Sequence, residues 1–349
     1  VWSPTSVRAA AVGPVASHSA ICAPSLGDVI RRAHLGQRAA ELTGWCVVGC
    51  VGVVMITQAF GWDGFRVVAT LQSLTPYGIP LLVVVAALAV WQQRDALAAT
   101  AAAVGVAALL LATPIVLPPD QPVADRDAVG LTAASVNLLY SNPRVGELAA
   151  DLIDVDADVV VFSEYTLEHL TTLIDHALAD RYPHMINRDG LYAGGMALWS
   201  KYPVRENARV DTINRSIDAT LDGPDGQLRV LAVHPPTPIF DHDGWTRDLG
   251  RIAESADDSD APTLVIGDFN ASYWHPAFRE LLRGGLTDAH VAHGEGWSTS
   301  WPTDEFVPPF VRLDHALTGN GLVSTAVDDF RLPGTDHTAF VVTVKPAAR

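Results

Sequence analysis

The sequence predicts an α/β domain of β-sheets with helices on their outer faces, preceded by an all-α membrane segment. The charges separate the two parts, since residues 1–122 hold 6 Lys+Arg and 5 Asp+Glu while residues 123–349 hold 17 and 34. In the second part, short apolar runs alternate with stretches of helical periodicity. That alternation is typical of sheets covered by helices.

Composition excludes several classes of protein. The 349 residues are 49% apolar and 18% charged, with a mean hydropathy of +0.20 and a formal net charge of −16. These values exclude an intrinsically disordered chain, a collagen-like repeat and a disulfide scaffold. No cysteine follows Cys50, so the acidic part has neither a thiolate metal site nor a cysteine nucleophile.

Three stretches of the first part contain no charged residue: Leu42–Trp62, Val67–Gln93 and Ala96–Pro119. Each reaches the roughly 20 residues that an α-helix needs to cross a bilayer. The alternative is three buried helices of a soluble bundle, but such helices show a polar face and these stretches do not. We therefore expect a membrane anchor over residues 42–119, with helices at about 44–60, 75–92 and 97–117.

Basic residues near the ends of these stretches set the expected orientation. Most of them lie on one side, at Arg31, Arg32, Arg38 and Arg94. The expected localisation is a multi-pass protein of the cell membrane whose α/β domain lies on the extracytoplasmic side. Residues 1–41 would form a disordered cytoplasmic tail, residues 120–130 a linker, and residues 131–349 the α/β domain.

Apolar runs and helical periodicity predict the elements of the α/β domain. Strands are predicted at Leu131–Val136, Asp158–Phe162, Met196–Trp199, Leu228–Val233, Thr263–Ile266, Leu313–Leu317 and Ala339–Val344. Helices are predicted at Val145–Ile153, Leu167–Ala179, Trp245–Ala256 and Pro276–Leu282.

Polar and ionisable residues recur where these strands end. They are Asn137, Glu164, His234, Asp268, Asn270, Asp314, Asp336 and His337. Each alone has an ordinary explanation, because Asn and Asp favour turns and Glu or His can lie at the solvent end of a strand. Their recurrence in one domain favours a site, because sites form at strand ends in sheets covered by helices.

The chemistry of this set points to phosphate esters. Carboxylate and amide oxygens are ligands of Mg²⁺ and Ca²⁺, whereas Zn²⁺ is disfavoured because the sequence has neither an HExxH pair nor a cysteine cluster. Asp and His can orient and deprotonate a water, and Asn can donate hydrogen bonds to phosphate oxygens. These groups are suited to metal-assisted hydrolysis of a phosphate ester.

The order of the motifs resembles the endonuclease/exonuclease/phosphatase superfamily. The motifs are Asn137, Glu164, Gly195-Met-Ala-Leu-Trp-Ser-Lys-Tyr-Pro203, His234, Gly267-Asp-Phe-Asn270, Arg312-Leu-Asp-His315 and Asp336-His337. The resemblance covers about residues 131–344 and leaves out the membrane segment. It implies a four-layer sandwich of two packed mixed β-sheets flanked by helices, and a divalent-metal phosphodiesterase or phosphatase.

The resemblance also implies a metal site. Glu164 would be the principal ligand, helped by Asn137 and Asp336. Mg²⁺ is the expected metal, with Mn²⁺ and Ca²⁺ as alternatives. Two positions depart from the family, since Ser163 stands where Gln is frequent and Thr335 where Ser is usual.

Five further matches imply catalytic roles. Asp268 would orient the attacking water and Asn270 would hold the phosphate. His337 would be the catalytic histidine, oriented by Asp314. His234 matches a histidine of the deoxyribonuclease and sphingomyelinase branches, which contacts phosphate or assists the leaving group. The sequence leaves open which histidine is the base.

The expected function is a membrane-anchored, metal-dependent hydrolase of phosphate esters, most simply a phosphodiesterase acting on nucleic acid or a lipid headgroup. The expected partners are that substrate and the lipid bilayer, and the sequence indicates no protein partner. The acidic balance disfavours electrostatic capture of nucleic acid. The alternatives are a catalytically inactive binding or scaffold module of the same fold and a transporter accessory. The filled motif positions disfavour the first, and the lack of charged residues in the apolar stretches disfavours the second.

Overall fold

All seven predicted strands are present in the computed structural model, which describes residues 26–303 and 306–348. The strands are β1 (Leu131–Asn137), β2 (Val159–Ser163), β3 (His184–Arg188), β4 (Met196–Ser200), β5 (Val204–Glu206), β6 (Ile217–Gly223), β7 (Gly226–Val233), β8 (Thr263–Asp268), β9 (Thr287–Asp288), β10 (Asp314–Gly319), β11 (Leu322–Arg331) and β12 (Thr338–Pro346). Strands β3, β5, β6, β9 and β11 lie outside the predicted set.

The helices of the described residues fall into two groups. The first group is α1 (Leu26–Ala59), α2 (Arg66–Ser73), α3 (Thr75–Trp91), α4 (Asp95–Leu111) and α5 (Thr113–Val116). The second group is α6 (Val145–Val155), α7 (Leu167–Asp175), α8 (His242–Asp257), α9 (Pro276–Arg283) and α10 (Ala289–Ala292). The four helices predicted in the α/β domain correspond to α6, α7, α8 and α9, although α7 ends at Asp175 and a 3₁₀ turn follows at Leu178–Arg181.

The strands form two mixed sheets of six, in the orders β11-β12-β1-β2-β4-β3 and β5-β6-β7-β8-β10-β9. Alternate side chains of each strand point to opposite faces. In β2, Val159 and Val161 join the core between the sheets, whereas Val160 and Phe162 pack towards α6 and α7. Helices α8 and α9 cover the outer face of the second sheet. The four-layer sandwich implied by the resemblance is therefore confirmed.

One end of the sandwich gathers the polar strand ends. Strands β1 and β2 pair in parallel in the first sheet, as β7 and β8 do in the second, so their carboxyl ends lie together. Strand β10 runs antiparallel to β8 with Asp314 opposite Asp268, and β12 runs antiparallel to β1. The first residue of β10 and the residues just before β12 therefore reach the same end, which brings the eight predicted residues to one end of the sandwich.

The prediction of three membrane helices is wrong. By length and apolar composition, α1 can cross a membrane from His34 to Ala59, and a second candidate exists only if α2 and α3, bent by 65°, count as one span. Helix α4 has 17 residues, or about 25 Å, which is shorter than the roughly 30 Å of hydrocarbon. It ends at Leu111 because Pro114 follows and interrupts the helical hydrogen bonding.

The predicted disordered tail over residues 1–41 is also wrong in part, because α1 begins at Leu26 and includes residues 26–41. The charged residues before Leu42 are compatible with a helix that extends beyond the apolar stretch. Residues 1–25, the remainder of that predicted tail, lie outside the described residues.

The helical segment, residues 26–116, docks on the α/β domain at one end of its helices. Five hydrogen bonds between described residues join the two parts. They are Arg279 Nη2 to Gln58 O at 3.2 Å, Ala277 N to Asp63 Oδ2 at 2.9 Å, His275 Nε2 to Ala69 O at 2.9 Å, Tyr77 Oη to Phe310 O at 2.9 Å, and Tyr273 Oη to Leu111 O at 3.2 Å. The end of α1, the start of α3 and the end of α4 thus face the α/β domain. A small apolar cluster of Ala112, Ile115, Tyr273 and Trp274 completes this contact.

Candidate active site

Glu164 and Asn137 lie side by side at the ends of the parallel strands β1 and β2. Asn137 Nδ2 is 3.4 Å from Glu164 Oε1, and the backbone N–H of Tyr140 donates to Glu164 Oε2 at 3.0 Å. Glu164 has a φ of +55°, a left-handed conformation that costs energy for a residue of this size. That turn directly after β2 leaves the Glu164 carboxylate half-buried at the mouth of the site.

Asp268 is buried at the end of β8. Its Oδ2 accepts a hydrogen bond from Asn137 Nδ2 at 3.1 Å, and its Oδ1 accepts from the N–H of Asn270 at 2.8 Å. Gly267 permits this position, because a Cβ there would lie 2.0 Å from the carbonyl oxygen of Val233 in β7. Burial raises the pKa of Asp268, as does the nearby Asp314, so this carboxylate binds a proton more readily than usual.

Asp314 and His337 form a buried hydrogen-bonded pair between Asp314 Oδ2 and His337 Nδ1, at 2.8 Å. The other ring nitrogen, Nε2, lies 3.7 Å from Asp268 Oδ2. Burial disfavours the charged imidazole, but Asp314 and Asp268 outweigh burial and raise the pKa of His337 to about 10. Burial likewise opposes ionisation of Asp314, yet His337 holds its pKa below the ordinary value.

The neighbouring pair of Asp288 and His315 belongs to a different part of the fold. His315 follows Asp314 in β10, and consecutive side chains of a strand point to opposite faces. Its Nδ1 therefore meets Asp288 Oδ2 at 2.6 Å, and its Nε2 meets the carbonyl oxygen of Ala271 at 3.0 Å. Both ring nitrogens of His315 therefore have partners, and the ring points away from the candidate active site.

His234 and Asn270 border Asp268 on the second sheet. His234 Nε2 lies 3.7 Å from Asp268 Oδ2, and its buried Nδ1 has no hydrogen-bond partner among the described residues. Asn270, at a φ of +46°, donates from Nδ2 to the carbonyl oxygen of Pro235 at 3.1 Å. Both side chains are placed to meet a group that enters beside Asp268.

Asp336 directly precedes His337 and contacts a loop tryptophan. Its Oδ2 accepts a hydrogen bond from Trp301 Nε1 at 3.1 Å, and its buried Oδ1 has no hydrogen-bond partner in the described part of the chain. Trp301, in the loop Thr299-Ser-Trp-Pro302, has no role among the sequence predictions. No spacing rule relates a loop tryptophan to an aspartate 35 residues later.

Two hydroxyl groups without a predicted role fix the backbone of the site. Ser300 Oγ accepts from the N–H of Leu313 at 2.9 Å and from the N–H of Asp314 at 3.3 Å. Thr335 Oγ1 donates to the carbonyl oxygen of Asn137 at 2.7 Å, which ties the loop before His337 to β1. The hydroxyl at position 335, where the family usually has Ser, is therefore structurally used.

The donor set fits a hard divalent cation. Glu164 supplies a half-buried carboxylate, and the partnerless Oδ1 of Asp336 is the kind of buried oxygen that a cation satisfies. Asn137 directs its NH₂ group, not its oxygen, at Glu164 and Asp268, so ligation by Asn137 needs the amide reversed.

A second possible donor set consists of Asp268, Asp314 and His337, whose ligand atoms all lie within 4.8 Å of one another. A cation bound through His337 Nδ1 would displace the hydrogen bond to Asp314, whereas one bound through Nε2 would leave it in place. Glu164 and Asp336, the ligands that the resemblance implies, form the other candidate donor set.

Comparison with known proteins agrees with this geometry. The model of the endonuclease/exonuclease/phosphatase family matches residues 134–337, more than half of the chain. The match begins within β1 and ends at His337, so all eight predicted residues lie inside it. No curated protein matches the sequence.

Solved structures share the fold at low identity. TDP2 from D. rerio in complex with a single-strand DNA product is 15% identical, with a TM-score of 0.51, over 62% of this chain and 99% of that one. Truncated TDP2 from Caenorhabditis elegans is 17% identical, with a TM-score of 0.51, over 62% and 98%. An AP endonuclease from Archaeoglobus fulgidus is 16% identical, with a TM-score of 0.50, over 61% and 98%.

Proposed function

Since the chain belongs to the endonuclease/exonuclease/phosphatase family, we propose that it is a divalent-metal-dependent phosphodiesterase. The observation that most favours this activity is the juxtaposition of a hydrogen-bonded Asp314–His337 dyad with the buried Asp268 and the oxygen donors of Glu164 and Asp336. A buried imidazole beside two buried carboxylates, with the pKa values of Asp268 and His337 both raised, favours catalysis over an inactive binding module.

The protein side chains supply proton transfer and orientation. A bound Mg²⁺ would polarise the phosphate and stabilise its developing charge. Asp268, with its raised pKa, accepts a proton from a water placed between it and His337 Nε2. Asp314 holds the His337 ring by Nδ1, so that Nε2 faces the reacting groups. His234 and Asn270, which also border Asp268, donate hydrogen bonds to phosphate oxygens.

A substrate screen of the purified full chain tests the activity. We expect hydrolysis of bis(p-nitrophenyl) phosphate in the presence of Mg²⁺ or Mn²⁺, and its loss on addition of EDTA with recovery when excess Mg²⁺ is restored. Phosphomonoesters, single-stranded DNA, RNA and phospholipids belong in the same screen. Hydrolysis that persists in EDTA after dialysis, or no hydrolysis of any ester with any of these metals, contradicts the proposal.

We also propose that the helical segment anchors the protein in the cell membrane through α1, with the α/β domain on the extracytoplasmic side. Only about 22% of the apolar window of α1 is buried within the protein, so its apolar side chains face outward. Arg31 lies before the candidate span and Arg38 lies near its amino-terminal end, which favours a cytoplasmic amino-terminal end. The opposite end, at Gln58, contacts the α/β domain.

Fusion of alkaline phosphatase or a fluorescent protein after Arg349 tests this orientation. We expect active phosphatase and a dark fluorescent protein, because the carboxyl terminus belongs to the domain that docks on the outer end of α1. An inactive phosphatase together with a fluorescent reporter protein would place the α/β domain in the cytoplasm and overturn the orientation.

A further inference from the structure

Among the described residues, several apolar side chains are exposed on loops at the end of the sandwich that holds the candidate active site, and six of them lie on the loops after β1, after β3, before β6 and after β7. They are Tyr140, Leu191, Tyr192, Ile213, Ile239 and Phe240, and we call this set the apolar rim. Leu191, Tyr192 and Phe240 are 86%, 72% and 90% exposed. Clustered exposed side chains of this size mark a surface that binds another apolar surface.

One half of the apolar rim borders Glu164. The backbone N–H of Tyr140 donates to Glu164 Oε2, and the rings of Tyr140 and Tyr192 meet edge to face at 5.6 Å. The loop that contains Tyr192 is held to the residue after Glu164, because the N–H of Gly190 donates to the carbonyl oxygen of Tyr165 at 3.0 Å. These side chains therefore stand at the mouth of the site.

The other half borders Asn270. Phe240 follows Pro235 by five residues, and the carbonyl oxygen of Pro235 accepts from Asn270 Nδ2. Ile213 covers the start of α8, since a Cβ on Gly244 would lie 2.5 Å from Ile213 Cδ1. The apolar rim thus runs from the loop after β1 to the loop before α8, around one side of the site.

The helical segment closes the other side of the site. Tyr77 Oη in α3 donates to the carbonyl oxygen of Phe310, whose ring lies 5.7 Å from that of Trp301. Trp301 Nε1 in turn donates to Asp336 Oδ2. Only two side chains therefore separate α3 from the candidate cation ligand Asp336.

Aromatic side chains cluster at this same end of the helices. Phe60, Trp62 and Phe65, between α1 and α2, are 83%, 50% and 52% exposed. Exposed aromatic side chains at the end of an apolar helix are typical of the boundary between a bilayer and water. The bilayer surface expected at these aromatic side chains lies on the same side of the molecule as Phe310 and Trp301.

We infer that the apolar rim binds the surface of a lipid bilayer and that the substrate is a phosphate ester presented at that surface. This inference rests on the proposed hydrolase function and names its substrate class. The rim is continuous with the site on one side, and the helical segment adjoins the site on the other. Single-stranded nucleic acid fits less well, because its binding depends on cationic side chains along the strand and residues 123–349 hold twice as many acidic as basic side chains, whereas the rim can bind a bilayer by apolar contact.

Hydrolysis by the full chain in detergent tests the role of the rim. The double variant Leu191→Ser, Phe240→Ser removes the most exposed aliphatic side chain and the most exposed aromatic side chain of the apolar rim. We expect at least a tenfold loss of activity on phosphatidylglycerol in mixed micelles, and a change of less than twofold on the soluble diester bis(p-nitrophenyl) phosphate. The soluble diester needs the site but no lipid surface.

The matched control is Val123→Ser, Val129→Ser. Both valines are exposed, by 69% and 74%, and lie before β1 at the opposite end of the strands from the site. The control should retain both activities. Equal loss on both substrates by the rim variant, no loss on lipid, or loss confined to single-stranded DNA would each overturn the inference.

A second measurement decides the inference without catalysis. In a background with Cys22, Cys46 and Cys50 replaced by Ala, a nitroxide is attached to Leu191→Cys, Phe240→Cys or, as control, Val129→Cys, in full chain reconstituted into phosphatidylglycerol nanodiscs. We expect oxygen, which concentrates in the bilayer, to relax the two rim labels more than a water-soluble nickel complex does. The nickel complex should relax the control label more than oxygen does. Rim labels that behave like the control would exclude lipid contact even if the soluble diester is hydrolysed. Lipid contact without any hydrolysis would leave the rim valid and reject the hydrolase.

Discussion

Glu164→Gln is expected to lower phosphodiester hydrolysis at least about 100-fold at saturating Mg²⁺ while the fold survives. The substitution removes the negative charge that a hard cation needs. It also places an amide NH₂ opposite a donor, because Oε1 faces Asn137 Nδ2 and Oε2 faces the N–H of Tyr140. Loss of hydrogen-bonding partners of metal ligands alone costs roughly 10- to 100-fold, so loss of the ligand itself should cost more.

The test compares steady-state rates with Mn²⁺ binding measured by calorimetry. Glu168→Gln is the matched control, since Glu168 is exposed on α7 only four residues away. We expect the control to bind Mn²⁺ and hydrolyse the diester as the wild type does, and both variants to unfold at similar temperatures. Wild-type activity of Glu164→Gln at saturating Mg²⁺ would show that Glu164 is not the main ligand.

The elements that form the site could be predicted because their apolar runs end in polar residues. Strands β2 and β8 are buried along their whole length, so VVVFS-Glu164 and LVIGD-Phe-Asn270 both stand out as strands followed by functional groups. Strand β6 was not predicted, because Asp218 and Asp222 interrupt its run of apolar residues. The Asp218 carboxylate accepts a hydrogen bond from the Arg229 guanidinium of the neighbouring strand β7. This contact depends on the register of the two strands, which the sequence does not give.

The membrane segment was harder to predict because absence of charge does not define helix length. The uncharged stretch Ala96–Pro119 suggested a full span, yet its helix breaks after Leu111. The docking of the helical segment was equally hidden, since the bond from Tyr77 to Phe310 joins residues 233 apart. Such contacts depend on tertiary packing, for which one sequence gives no local signal.

Substitution of Asp314 and substitution of His337 are expected to impair the same contribution to the rate of hydrolysis. His337 Nδ1 lies 2.8 Å from Asp314 Oδ2, and this hydrogen bond fixes the tautomer and the orientation of the ring. Asp314→Asn keeps a hydrogen-bond acceptor but loses the charge that stabilises the imidazolium, and we expect a loss of roughly 100-fold or more.

A neighbouring pair provides the control for folding. Asp288 and His315 have the same chemistry as the dyad and lie beside it in the second sheet, but His315 points away from the site. Asp288→Asn should lower the free energy of unfolding while leaving the rate per folded molecule within a few-fold of wild type. A loss of rate in Asp288→Asn as large as that in Asp314→Asn would mean that damage to the fold explains both.

The double variant separates a catalytic unit from two independent contributions. Groups that act as one unit show strongly non-additive losses. His337→Ala should cost more than Asp314→Asn, because it removes the Nε2 that faces Asp268, and Asp314→Asn combined with His337→Ala should cost little beyond His337→Ala alone. Rates of the four enzymes on bis(p-nitrophenyl) phosphate, corrected for the folded fraction, give the coupling directly. If the two single losses multiply in full, Asp314 does not act through His337, and the dyad is refuted even though the hydrogen bond exists.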